Sequence, residues 1–136
     1  MNSIAKLICL TLTATFSAAA IACGVCIEDK VAATYDHAVV MRAAAKHQLL
    51  VFGEIEGAVD VKATTDKITR AAPHVRGIDR SSIRTSVSPA AFSFALDPAS
   101  RPADAAVAEL QKKLRADGVK LTVLRVMRSD ARTSRN

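Results

Sequence analysis

The apolar positions of this chain fall into short periodic blocks separated by polar or breaking residues. Ile27, Val31, Tyr35, Ala38, Arg42 and Ala45 recur at steps of three and four, with alanine and valine beside them, which predicts one packed helix over 27–48. Glu28 and Asp29 lie in its first turn, where carboxylates suit the positive end of the helix dipole. Leu49 to Ile55 is a compact strand signal, punctuated by Gly57. Asp60 is a helix-capping residue, followed by Val61, Thr65, Ile68, Ala72 and Val75 at helical steps. Pro73 should stop that helix near Arg70 to Ala72. Ile83, Thr85 and Val87 alternate with polar neighbours, Ser88-Pro89-Ala90 makes a turn, and Phe92, Phe94 and Leu96 alternate in a partner strand. Ser100 is placed to cap a last helix, with Pro102 in its first turn, the stripe Ala103, Val107, Leu110 and Leu114, and Gly118 as its stop. Val119 to Met127 reads as the final strand.

From residue 49 the order is therefore β-α-β-β-α-β. This predicts an α+β fold of the ferredoxin-like βαββαβ kind over 49–127, four antiparallel strands with two helices on one face. The helix within 23–48 is an addition to it.

The ends of the chain change the picture. Lys6, the apolar run Leu7 to Phe16, and the small residues Ala18 to Ala22 make 1–22 a secretory signal peptide, with Ala20 and Ala22 before a cleavage point at Cys23. The run is too short for a membrane span. A periplasmic or secreted address follows. Ala20-Ile21-Ala22-Cys23 also approximates a bacterial lipobox, although leucine is usual where Ala20 stands. If Cys23 were lipidated, the protein would be held at a membrane and Cys26 would be left as a lone thiol. Residues 128–136 are polar and basic and read as a disordered tail. The formal net charge of +6 owes much to Arg125, Arg128, Arg132 and Arg135. No basic and aromatic residues interleave, and with the exported address this excludes nucleic acid as a partner.

The chemistry centres on Cys23-Gly24-Val25-Cys26, the two cysteines that remain when Cys9 leaves with the signal. Thiols at i and i+3 can share a soft metal ion such as copper or zinc, close a disulfide, or exchange one. His37 lies eleven residues beyond Cys26. That is about 16 Å along an unbroken helix at about 1.5 Å per residue, so a third ligand, with His74 the candidate, must come from elsewhere in the fold or from a second chain. The redox use lacks a preceding strand. The disulfide use suits an exported protein, although so short a loop constrains the unfolded chain little. Asp36 and His37 point about 100° apart on a helix and read as a solvated face. Glu54 and Glu56, at i and i+2, share one face of a strand end and read as a solvated carboxylate pair. No nucleophile elbow, phosphate loop or H-E-x-x-H is present. No enzyme is expected.

The element order, His74-Val75-Arg76-Gly77-Ile78 leading into a strand, Ala95-Leu96-Asp97-Pro98 before the second helix and Leu114 to Gly118 closing it resemble the heavy-metal-associated, copper-chaperone-like domain over 49–127. That family keeps a CxxC in the loop after its first strand, whereas this chain has Glu54 to Asp60 there without a cysteine. The resemblance implies the fold, and its metal ligands do not carry over. The sequence thus points to an exported accessory protein binding a soft metal ion through Cys23, Cys26 and His74. The competing reading is a non-catalytic domain that binds an exported protein partner and whose CxxC is a disulfide.

Overall fold

The computed structural model describes residues 22–116 and 118–128, with side chains described from Ile27 onward. The predicted signal up to residue 21 and the tail from 129 lie outside the described residues. The chain forms an α+β domain. Helix α1 (Ala22–Thr34) and helix α2 (His37–Ala45) precede strand β1 (Leu49–Glu56). Helix α3 (Val61–Ala71), strands β2 (Arg84–Ser86) and β3 (Ala91–Leu96), helix α4 (Ala103–Leu114) and strand β4 (Lys120–Arg128) follow. The strands make one antiparallel sheet in the order β2-β3-β1-β4.

Alternation along the central strands splits their side chains between two apolar layers. Val51, Ile55, Phe92, Phe94 and Leu96 face α3 and α4, whose Ile68, Val107, Leu110 and Leu114 complete the larger core together with Ala72 just after α3. Leu50, Phe52 and Ala95 face the other way and meet Val31 of α1 with Val39 and Ala43 of α2. Covered on both faces, β3 is buried at every position. Gly53 is required by this packing: a Cβ there would lie 2.2 Å from Cζ of Phe92, its cross-strand partner, whose ring occupies the space.

The capping chemistry holds in part. Asp60 caps α3 by accepting a hydrogen bond from the Ala63 N–H (2.9 Å), and α3 gives way to a 3-10 turn, Ala72–His74, at Pro73. At α4 the structure differs from the sequence reading. Ser100 donates to Asp97 in the preceding turn, and the N-cap is Pro102, whose side chain offers no cap. The helix stops at Leu114 with Arg115 in the left-handed region, three residues before Gly118. Gly118 instead turns the chain into β4 against Gly57, where a Cβ would stand 2.1 Å from the Gly118 carbonyl oxygen.

The single helix predicted over 27–48 is two helices. Thr34 ends α1, its carbonyl accepting from the buried Ser93 hydroxyl at 2.9 Å. Asp36 opens α2 by accepting from the N–H groups of Ala38 and Val39, an ordinary side-chain cap. Arg84 of β2 holds the same carboxylate at 2.7 Å, and that guanidinium keeps the Asp36 carboxyl below the usual aspartate range.

Candidate functional site

Contacts along α1 give its course over the sheet. Glu28 pairs with Arg125 of β4, Lys30 with Glu54 of β1, and the Thr34 carbonyl with Ser93 of β3. The helix therefore enters at the β4 edge and crosses β1 toward β3 and β2. Arg125 holds the Glu28 carboxyl below its ordinary value, first through the hydrogen bond and then through its charge. Cys23 and Cys26 belong to the opening turns of α1, ahead of Glu28. Their backbone positions are one helical turn apart, at the β4 side of the face that α1 covers.

Histidine is not brought to that end among the described residues. His74 is exposed in the 3-10 turn after α3, flanked by Ala72 and Val75 of the larger core. The sheet lies between that layer and α1. His37 is exposed at the first position of α2, and the break before it removes the continuous-helix span assumed from the sequence. His47 is exposed in the left-handed region, with φ of 55°. Among the described residues no group of three or more His, Cys, Asp or Glu is gathered closely enough to hold a metal ion.

The carboxylates singled out from the sequence have other partners. Glu54 pairs with Lys30, and Glu56 accepts from the Thr122 hydroxyl at 3.1 Å. Asp36 is engaged by Arg84 and by two peptide N–H groups, and so does not orient His37.

Two polar assemblies escaped the sequence reading. In the first, Asp79 receives Lys46 of the α2 end at 2.7 Å together with the Ser81 hydroxyl and N–H. Lys46 first, and Ser81 after it, lower the Asp79 pKa to about 2. Ser82 continues this seam by accepting from the Ala95 N–H at 2.7 Å. In the second, the Gln111 carboxamide on α4 donates to the Val119 carbonyl at 2.7 Å and accepts from the Leu121 N–H at 2.6 Å. It occupies the place a neighbouring strand's peptide group would take. An open groove of about 470 Å³ lies beside it, lined by Val107, Ala108, Leu121 and Val123. The Asx turn Asp79-Arg80-Ser81 was the local signal for the first assembly, whereas nothing local to Gln111 marks the second.

No helix among the described residues is long and apolar enough to cross a membrane. No family model matches the chain, and searches of curated proteins and of solved structures find no match.

Proposed function

We propose that this chain is an exported, non-enzymatic accessory protein that binds a soft metal ion, copper or zinc, through Cys23 and Cys26. The observation that carries the reading is the placement of both cysteines in the opening turns of α1, three residues apart on one helix. Thiolates are the protein ligands softest metals prefer. A cysteine near a helix N-terminus ionises more readily because the peptide dipoles favour the anion.

We read the scaffold from β1 onward as ferredoxin-like. The sheet order β2-β3-β1-β4 and the packing of α3 and α4 on one face support it. The heavy-metal-associated resemblance extends in this reading to the scaffold alone, with the thiol pair carried on α1 in place of the loop after β1. That loop is spent on the close approach of Gly57 to Gly118.

The test is the intact mass of the protein purified from its exporting host, under non-denaturing and denaturing conditions, before and after thiol alkylation. The metal reading expects two alkylatable thiols and a metal mass that disappears in Cys26→Ser. A mass two protons short, resistance to alkylation without reductant and no bound metal would establish a disulfide-bearing interaction domain instead. An acyl mass on Cys23 would make the protein a lipoprotein and remove one of the two ligands.

A further inference from the structure

The sheet has two edges of unequal kind. β2 at one edge has three residues, whereas β4 at the other has nine. Unpaired edge backbone invites strand addition unless the fold blocks it. On β4 the block is partial. Ile55 donates its N–H to Ala90 on the β3 side, so its β4 partner Leu121 points its backbone polar groups away from β1, where Gln111 takes them. The register slips by one residue between Phe52 and Gly53, which pair with Arg125 and Val123, leaving Leu124 as a bulge. Beyond the bulge, Arg125 and Met127 stand opposite Phe52 and Leu50 on β1, and antiparallel alternation turns the polar groups of Val126 and Arg128 outward. Among the described residues, no side chain caps either of them as Gln111 caps Leu121. The Val126 side chain is 43% exposed, one of the large apolar side chains left in solvent.

We infer that this part of β4 pairs antiparallel with β4 of a second copy of the chain, centred on Val126, and that the pairing brings two Cys23–Cys26 pairs to one shared metal site. A two-fold axis at Val126 sets Val126 against Val126 of the second copy, Arg125 opposite Met127, and Leu124 opposite Arg128. Within Leu124 to Arg128 no like charges stand opposite one another, and Glu28 already neutralises Arg125 within each copy. Such an axis is normal to the sheet, so both copies carry α1 on the same face. Each α1 enters over β4 level with Arg125, next to the axis, so the two opening turns come together over the pairing line. One chain offers two thiols, whereas a closed tetrahedral site takes four ligands. The shared site rests on the metal reading above, and the edge pairing does not.

The experiment compares wild type, Cys23→Ser/Cys26→Ser and Val126→Lys, all reduced and metal-free, by sedimentation equilibrium and amide hydrogen exchange, and then titrates each with zinc. The first two should sediment as dimers with slow exchange at Val126 and Arg128. Val126→Lys should be a monomer with wild-type circular dichroism, because its side chain is already exposed. Wild type should take one zinc per two chains, and Val126→Lys should lose on the order of a hundredfold in zinc affinity through loss of the second pair of ligands. A monomeric wild type, or a dimer indifferent to Val126→Lys, overturns the edge pairing. Dimers that form only with zinc and require the cysteines overturn it too, because the metal alone then joins the chains. If wild type and Cys23→Ser/Cys26→Ser both dimerise but wild type takes up no zinc, or one zinc per chain, the shared site is overturned and the edge pairing stands.

Discussion

Replacing Gly53 by alanine is the sharpest test of the packing at the centre of the sheet. The added Cβ would stand 2.2, 2.6 and 2.8 Å from Cζ, Cε1 and Cε2 of Phe92. Ordinary carbon contacts begin near about 3.4 Å, so the ring must retreat by about 1 Å in an interior packed at crystal density. Phe92 is fully buried and stacks on Phe94 with ring centroids 6.0 Å apart, so that retreat pushes a second buried ring. Overpacking of this kind costs about 1–3 kcal/mol, and the blocked retreat favours the upper half. Stiffening the unfolded chain returns about 0.4–1 kcal/mol, since Gly53 does not adopt a left-handed conformation. The net loss is about 2 kcal/mol, or a fall of about 10 °C in Tm for a domain of this size. Thermal unfolding followed by circular dichroism measures it. Adding Phe92→Leu in the same chain should recover part of the loss, giving a coupling of about 1 kcal/mol in a double-mutant cycle. An unchanged or raised Tm for Gly53→Ala, or strict additivity with Phe92→Leu, refutes the reasoning.

Three further outcomes follow from the polar assemblies. Gln111→Ala strands the Leu121 N–H and the Val119 carbonyl at the β4 edge, so urea unfolding should show a loss of about 1–3 kcal/mol with an unchanged m-value. Asp79 has a folded pKa of about 2, below its ordinary 3.8. The unfolded state therefore takes up its proton first as pH falls, and the stability this carboxylate contributes is present above about pH 4 and lost toward pH 2. Because Lys46 is half exposed, solvent screening holds the contribution to about 1 kcal/mol, and Asp79→Asn should remove that part of the acid slope in pH-dependent unfolding. Asp36→Ala removes the α2 cap and the Arg84 pair together. It should cost about 1–2 kcal/mol and speed amide exchange at Ala38 and Val39.

What was legible in the sequence was what neighbouring residues decide. The run Leu49 to Ile55, the Asp60 cap and the alternation of Phe92, Phe94 and Leu96 signal their elements locally, and each stands in the fold. The break at Tyr35 and Asp36 was hidden because the alanine-rich periodicity runs straight through it. What ends α1 is Ser93, 59 positions away, and what holds Asp36 is Arg84, 48 positions away. The stop of α4 was misplaced for a related reason: Gly118 has the conformation of a helix stop, but its role is set by Gly57 across the sheet end. The cysteine pair was visible as a pair. Its surroundings were not, because the course of α1 depends on Arg125, Glu54 and Ser93, which come from three different strands. His74 looked available as a ligand from its loop, and the fold sets it in the layer beyond the sheet.

The most direct test of the account is a competition titration of the reduced protein against chromophoric copper(I) and zinc(II) chelators, with Cys23→Ser, Cys26→Ser and His74→Ala alongside wild type. The account predicts that wild type and His74→Ala withdraw the metal and that both serine variants do not. Serine variants that compete as well as wild type, or a wild type that withdraws neither metal, would contradict it.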